Sequence, residues 1–125
     1  MTGFATLQAD GVTVIAAEGR LDALVSPDLD DILQQSVDRG QVYLVVDLGG
    51  VSYISSSCLR VLLLGARRAR ERGGDLKLCC LSPRVQQVFA LAGFDLVFEL
   101  WPSRAQAQAA FASTPKGPVQ PCASG

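Results

Sequence analysis

Three consecutive serines, Ser55, Ser56 and Ser57, are the residues whose types and placement most clearly suggest chemistry. They stand between an apolar segment and the apolar start of a predicted helix. The first turn of a helix leaves about four backbone N–H groups without partners and carries a partial positive charge. A serine hydroxyl can cap those groups, and a phosphate held on a serine is also favoured there. The run therefore predicts either ordinary capping by Ser55 or Ser56, or a hydroxyl that is free to react.

Much enzymatic chemistry is excluded by the residues that the chain lacks. It contains no histidine, so Ser-His-Asp triads, Cys-His pairs and HExxH zinc sites are ruled out. Asp22 and Asp47 do not make a paired-carboxylate enzyme without groups that position a substrate, and Cys58 as a nucleophile lacks a nearby base. No glycine-rich nucleotide-binding motif occurs. We predict that the protein is not an enzyme and uses no cofactor.

The four cysteines, at positions 58, 79, 80 and 122, form no CxxC pair. Cys79 and Cys80 in an extended segment would point to opposite faces, so we interpret them as small hydrophobic residues of a buried strand rather than metal or disulfide ligands. This use of cysteine suits a reducing cytoplasm. The N-terminus has no signal-peptide pattern, and the apolar run 61–64 is far too short to span a bilayer. We expect a cytoplasmic protein without a metal site or membrane insertion.

Length and composition predict one compact domain. The 125 residues are 49% hydrophobic and 18% charged, and the net charge of −1 gives no overall field that would attract nucleic acid or an anionic membrane. We assign residues 4–113 to the domain. Residues 114–125 are rich in proline, glycine and serine with little apolar content, which predicts a disordered tail.

Apolar periodicity and turn residues predict alternating strands and helices. Asp10-Gly11 is typical of the tight turn of an antiparallel hairpin. Ser26-Pro27 and Ser82-Pro83 each fit a capping serine followed by proline in the first helical turn. Residues 47–57 are predicted to form a loop rich in glycine and serine. The predicted strands are residues 4–9, 12–17, 42–46, 76–81 and 96–100, and the predicted helices are about residues 27–39, 56–72, 83–92 and 102–112.

This order, β-β-α-β-α-β-α-β-α, favours parallel pairing through right-handed crossovers, with the first strand antiparallel at one side. We predict the α/β class: a single small domain with a mixed, mostly parallel sheet, an N-terminal antiparallel hairpin and about four helices packed on it.

Several segments in succession resemble the motifs of the STAS domain, and more narrowly those of the bacterial anti-sigma-factor antagonists. The resemblance covers about residues 4–112. The segments that carry it are Gly-Arg-Leu-Asp at 19–22, Leu-Val-Val-Asp-Leu at 44–48, Val-Ser-Tyr-Ile-Ser-Ser-Ser-Cys-Leu-Arg at 51–60, Ser-Pro at 82–83, Leu-Ala-Gly-Phe at 91–94 and Phe-Glu-Leu-Trp-Pro-Ser-Arg at 98–104.

In that family the serine loop usually reads Asp-Ser-Ser/Thr-Gly-Leu, and its first serine is phosphorylated by an anti-sigma factor that is a serine kinase. The resemblance puts Ser56 at the phosphorylated position, Ser55 at the aspartate, Ser57 at the next hydroxyl and Cys58 at the glycine. It implies that the unphosphorylated protein binds the anti-sigma factor and releases a sigma factor, and that phosphorylation of Ser56 inactivates it. It also implies a serine phosphatase that resets the protein. The alternative is a STAS scaffold subunit of a lipid-transport or stress-signalling complex, without phosphorylation.

The same resemblance suggests which other residues meet the partner. In members of the family, the residue that corresponds to Asp22 usually lies near the phosphoserine loop. Asp22 can also be a carboxylate that caps a helix or stabilises a turn. Val61 and Leu64 fall roughly opposite the core-facing arc of the second helix, where either a neighbouring helix covers them or a partner docks on them. Cys58 is strained if its φ is positive; otherwise it is a plain helix residue or, as a further alternative, a redox-sensitive thiol. The predicted partner-binding residues are Asp22, Ser55, Ser56, Ser57, Cys58, Val61 and Leu64.

Overall fold

A computed structural model of the protein describes residues 3–112. The tail predicted at residues 114–125 lies outside these residues, as do residue 113 and the fourth cysteine. A short 3₁₀ turn, Phe94–Leu96, precedes the last strand. The strands and α-helices are, in chain order, β1 (Gly3–Ala9), β2 (Val12–Leu21), α1 (Ser26–Asp38), β3 (Tyr43–Ile54), α2 (Ser56–Glu71), β4 (Asp75–Cys79), α3 (Pro83–Leu91), β5 (Leu100–Trp101) and α4 (Arg104–Ala112).

The five strands form one sheet in the order β1-β2-β3-β4-β5. β1 is antiparallel to β2, and the other neighbouring pairs are parallel. Asp10 and Gly11 have φ angles of 55° and 79°, the left-handed conformation that a two-residue hairpin turn requires. The predicted element order, hairpin and α/β class are confirmed.

The sheet is covered on both faces. The larger core lies between one face and helices α1, α2 and α3, and it includes the fully buried Leu33, Leu62 and Phe89. The smaller core lies on the opposite face beneath α4, where Val14 and Ala107 are fully buried. Each fully buried large aliphatic or aromatic side chain contributes about 1.5–3 kcal/mol, so the larger core fixes the positions of α1 and α2.

β3 is longer than the sequence predicted, and the loop assigned to residues 47–57 is wrong for most of its length. β3 continues to Ile54 because it pairs in parallel with the extended end of β2, where Gly19 faces Val51 and Leu21 faces Ile54. A Cβ atom on Gly50 would lie 2.8 Å from the Cβ of Glu18. This glycine therefore allows two strands to approach closely, which a sequence pattern does not distinguish from a loop.

The extended ends of β2 and β3 form a two-stranded ribbon. Beyond Asp47, β3 pairs with β2 alone among the described strands, because the pairing of β4 with β3 ends where Cys79 faces Asp47. β1 pairs with β2 only as far as Glu18. This ribbon leads directly into the start of α2 and thus carries the serine segment beyond the body of the sheet.

The predicted cap of α1 and the predicted bounds of the last strand are also wrong. Ser26 does not cap α1; Val25 occupies the N-cap position, and the Ser26 hydroxyl donates a hydrogen bond to the carbonyl of Ala23 at 3.0 Å. The strand predicted at residues 96–100 is reduced to β5, because the chain turns at Phe94–Leu96 after Gly93, whose φ is 76°. By contrast, Ser82 caps α3 as predicted, accepting a hydrogen bond from the Val85 backbone N–H at 3.2 Å.

Cys79 and Cys80 do not point to opposite faces of the sheet. β4 ends at Cys79, and Cys80 has a φ of 65°, which directs its side chain toward the smaller core as well. The two sulfur atoms and a carboxylate oxygen of Asp47 all lie within 4.8 Å of one another. The prediction failed because it assumed that the strand continued through both residues.

Candidate functional site

Ser56 is the first residue of α2, and its side chain is exposed. The preceding Ser55 is the N-cap, with extended backbone, and its hydroxyl accepts a hydrogen bond from the Cys58 backbone N–H at 3.3 Å. Within residues 3–112 the Ser56 hydroxyl makes no hydrogen bond. The sequence left open whether the serines cap the helix or leave a hydroxyl free to react. In the structure Ser55 caps the helix, and the hydroxyl of Ser56 has no hydrogen bond within residues 3–112. Ser57 is half-buried on the next position of the helix.

Asp22 lies beside the start of α2, as the family resemblance implied. The backbone N–H of Ser55 donates to the Leu21 carbonyl at 2.8 Å, and the Cys58 thiol donates to the Asp22 carbonyl at 3.4 Å. The Asp22 carboxylate accepts a hydrogen bond from the backbone N–H of Leu24 at 3.0 Å. Asp22 is therefore also the turn carboxylate of the alternative interpretation, because it shapes the connection between β2 and α1.

The side chain of Cys58 is completely buried, so the prediction that it belongs to the partner-binding surface is wrong for this side chain. Burial raises the pKa of its thiol; the hydrogen bond with Ser55 acts in the opposite direction, and the nearby charge of Asp22 raises it further. A buried thiol with a raised pKa is unreactive, which argues against the redox-sensitive alternative. Its backbone is helical, so replacing the usual glycine causes no strain here: among the described residues, only Asp10 and Cys80 combine a positive φ with a side chain.

Val61 and Leu64 do not form an exposed apolar patch. Val61 is half-buried and packs against the larger core. It lies on the same face of α2 as Gly65, where an added Cβ would come within 2.8 Å of Leu33 Cδ1 on α1. Helix α1 therefore covers this face of α2. This is the first of the two alternatives predicted from the sequence, in which a neighbouring helix covers Val61. Leu64 is also half-buried.

The exposed apolar groups near Ser56 are different residues. Leu24 follows Asp22 by two positions and is 86% exposed, held outward by the turn that the Asp22 carboxylate stabilises. Tyr53, close to the end of the β2–β3 ribbon, is also exposed, and the Arg20 guanidinium lies 4.4 Å from its ring centroid. The sequence analysis missed Tyr53 because it placed residues 47–57 in a loop, and it missed Leu24 because it assigned no turn to residues 22–24. The Asp-Ala-Leu segment at 22–24 could have indicated this turn, because an aspartate side chain often accepts a hydrogen bond from the backbone N–H two residues later and so forms a tight turn.

The arginines of α2 and the residue after it differ in whether they have partners within residues 3–112. Three arginines near the C-terminal end of α2 serve the fold: Arg68 pairs with Asp30 at 3.0 Å, Arg70 pairs with Asp75 at 2.7 Å, and Arg72, just after the helix, donates to the Val37 carbonyl at 2.7 Å. Arg60, one helical turn after Ser56, is exposed and makes no ion pair with any residue between 3 and 112. The first turn of α2 carries no acidic residue. The helix N-terminus and Arg60 thus favour negative charge at Ser56, whereas the charge of Asp22, which acts on the neighbouring Cys58, opposes it.

Asp47, Cys79 and Cys80 lie together elsewhere, on the face covered by α4. Asp47 Oδ2 accepts hydrogen bonds from Arg104 at 3.0 and 2.8 Å, and its Oδ1 accepts one from the Gly49 backbone N–H at 2.8 Å. Burial raises the pKa of the Cys79 thiol far above its usual range. The carboxylate oxygens are occupied and the thiol stays protonated, so these residues act as packing and ion-pairing groups.

Within the described part of the chain, no helix has the length and apolar character needed to cross a bilayer.

Comparisons with known proteins agree with this geometry. The sequence model of the STAS domain matches residues 4–107. BtrV of Bordetella bronchiseptica, provisionally named an anti-sigma factor antagonist, is 40% identical over 102 residues, which are 82% of this chain and 88% of BtrV. The anti-sigma-B factor antagonist of Listeria monocytogenes is 29% identical over 73% of this chain and 79% of its own.

Solved structures show the same fold. The anti-sigma factor antagonist of Mycobacterium paratuberculosis superimposes with a TM-score of 0.83 at 24% identity, over 90% of this chain and 96% of that one. The family match spans most of the chain, and the sheet order and helix positions follow the predicted arrangement. The protein therefore belongs to the STAS domain family, and its relatives in that family include anti-sigma factor antagonists.

Proposed function

We propose that this protein is an anti-sigma factor antagonist controlled by phosphorylation of Ser56. In the unphosphorylated form it binds an anti-sigma factor, and the sigma factor held by that anti-sigma factor is released. The observation that carries this proposal is the exposed Ser56 hydroxyl, which the fold does not use because Ser55 caps the helix. The names of the related proteins support the choice of partner.

The anti-sigma factor is itself the kinase in this proposal. It transfers the γ-phosphoryl group of ATP to the oxygen of the Ser56 hydroxyl, whose proton is lost, and ADP is the other product. This protein is the substrate and supplies no catalytic group, since it has no histidine and the carboxylate of Asp22 is engaged in its own turn. A separate serine phosphatase removes the phosphate by hydrolysis and restores binding. The cytoplasm is where these reactions take place.

Phosphorylation should leave the fold intact. A phosphate on Ser56 adds about −1.5 to −2 charges at neutral pH. At the N-terminus of α2 this charge is favoured by about 0.3–1 kcal/mol, and the first turn contains no acidic side chain to oppose it. Arg60 lies four residues later on the helix, the spacing at which opposite charges attract each other.

Release of the partner follows from desolvation. A partner surface that fits a neutral hydroxyl beside Leu24 and Tyr53 would have to bury a dianion after phosphorylation. Burying a charge that has no partner costs several kcal/mol, and each 1.4 kcal/mol lowers the affinity tenfold. The modification thus abolishes binding without a change in the conformation of this protein.

The test is phosphorylation with purified components. Each anti-sigma-type serine kinase encoded in the source genome is incubated separately with the protein and ATP, and the phosphate is located by mass spectrometry. We expect one phosphate on Ser56, and none on the Ser56→Ala variant. Ser57→Ala is the matched control, since it removes the adjacent half-buried hydroxyl and should leave labelling unchanged.

Two results would contradict the proposal. Labelling of Ser57 in place of Ser56 would show that the accessible hydroxyl is not the acceptor. A protein that accepts no phosphate from any of these kinases would instead favour the scaffold role, in which the domain assembles a lipid-transport or stress-signalling complex without modification.

A further inference from the structure

Among residues 3–112, the outer edge of β1 has none of the features that usually keep sheet edges from pairing. β1 is seven residues long, lies at one end of the sheet, and contains neither a charged residue nor a proline. The other edge strand, β5, has only two residues. Proteins usually protect an open edge with short strands, charges, prolines or bulges. The β5 edge is protected because the strand is so short, whereas the described residues provide no such feature at β1.

The register of the hairpin identifies the backbone groups at this edge. Ala9 and Val12 face each other across the two-residue turn, so they form a hydrogen-bonded pair. Because such pairs alternate along an antiparallel ladder, Ala5 and Leu7 also direct their backbone groups toward β2. The N–H and C=O groups of Phe4, Thr6 and Gln8 point the other way, and β2 is the one strand paired with β1 among residues 3–112.

We propose that a second copy of this chain pairs with the β1 edge, antiparallel and centred on Thr6. In this register Thr6 faces Thr6 of the second copy, and Phe4 faces its Gln8. Three facing pairs, each exchanging two hydrogen bonds, satisfy the outward backbone groups of both strands. Leu7, which is 43% exposed, is placed opposite the small Ala5 of the second copy. Since β1 carries no charge, two copies meet without electrostatic repulsion, and the arrangement is symmetric about a two-fold axis.

The pairing has a defined effect on the architecture. The two five-stranded sheets become one continuous sheet, with the strands of one copy running opposite to those of the other. The two Ser56 residues therefore lie at opposite ends of the assembly, and neither is covered. A single seven-residue strand edge buries well below the roughly 1,200 Å² of stable interfaces, so we expect a weak dimer with a dissociation constant on the order of 100 µM.

Residue-specific amide exchange on the wild-type chain tests the proposal directly. Exchange is measured by NMR at about 20 µM and about 1 mM protein, concentrations that bracket the expected constant. We expect the amides of Phe4, Thr6 and Gln8 to be protected only at the higher concentration. The amides of Ala5 and Leu7, already bonded to β2, should not change. Protection of the outward amides that is equal at both concentrations would mean that another part of the same chain covers the edge, and would overturn the proposal.

A charge at the two-fold axis provides a second test. Thr6→Lys places two ammonium groups directly opposite each other and should weaken association at least ~10-fold in sedimentation equilibrium. Gln86→Lys, on the exposed face of α3, adds the same charge away from the edge and should leave association unchanged. A wild-type protein that sediments as a monomer at about 1 mM, or a dimer that Thr6→Lys does not weaken, would refute β1 pairing.

Discussion

The thiol of Cys58 donates a hydrogen bond to the backbone carbonyl of Asp22, with 3.4 Å between the sulfur and the oxygen. Together with the hydrogen bond from the Ser55 N–H to the Leu21 carbonyl, it joins the end of β2 to the first turn of α2. The family resemblance puts a glycine at position 58, and glycine has no side chain to make this contact. In this chain Cys58 therefore connects the residue that follows β2 to the turn of α2 that contains Ser56.

The buried thiol makes stability depend on alkaline pH. In the unfolded chain Cys58 ionises near its ordinary pKa of 9.0, whereas burial raises that pKa in the folded protein. Unfolding therefore releases a proton above about pH 9, and the free energy of unfolding falls as the pH rises toward the folded pKa. We expect wild-type protein to lose more stability between about pH 8 and about pH 10 than Cys58→Ala does, measured by urea denaturation. Parallel losses in the two proteins would contradict this assignment.

The two serines at the start of α2 should differ sharply in their effect on stability. Ser55→Ala removes the side-chain cap on the Cys58 N–H and should lower the free energy of unfolding by about 1 kcal/mol. Ser56→Ala removes a hydroxyl that makes no hydrogen bond within residues 3–112, so we expect a change within about 0.5 kcal/mol. Urea denaturation of the pair under identical conditions measures the difference. Equal destabilisation by both substitutions would mean that the hydroxyls of Ser55 and Ser56 both cap the helix, and would contradict the prediction.

Leu24 should be an anchor for the anti-sigma factor. It is 86% exposed on a turn fixed by Asp22, beside the segment that contains Ser56. Leu24→Asp should reduce affinity for the kinase identified in the phosphorylation assay by at least ~10-fold in isothermal titration calorimetry, because exposed apolar anchors carry much of the binding energy of an interface.

Leu91→Asp is the matched control for this prediction. Leu91 is 83% exposed at the end of α3 and should bind the kinase normally after substitution. Both variants should retain the melting temperature of the wild type, since neither side chain is buried. If the two variants bind equally well, Leu24 is not part of the interface.

Local sequence signals predicted the parts of the molecule that are determined by short-range interactions. The Asp10-Gly11 turn and the capped start of α2 depend on a few consecutive residues, and both were placed correctly. The position of Ser56 followed from the second of these. The exposure of its hydroxyl depended on which of two adjacent serines capped the helix, and the sequence alone left that open.

Long-range pairing determined what the sequence analysis missed. Gly49-Gly50 is typical of a loop, but the segment is a strand because the extended end of β2 lies beside it. Cys80 turns toward the smaller core because β4 stops one residue earlier, which depends on its pairing with β3 and β5. The exposed Leu96, in a segment predicted as a strand, shows that apolar composition does not establish burial.

The separation of roles between Ser55 and Ser56 has an evolutionary consequence. Under the proposed regulation, a mutation at position 56 leaves the helix cap in place, so a descendant of this protein would lose phosphorylation in one step and remain folded. A mutation at position 55 acts first on folding, whatever its effect on signalling. Selection could therefore change or discard the hydroxyl proposed to be regulatory independently of the architecture that presents it, which would give a lineage a short route from the proposed regulated antagonist to a permanently active one.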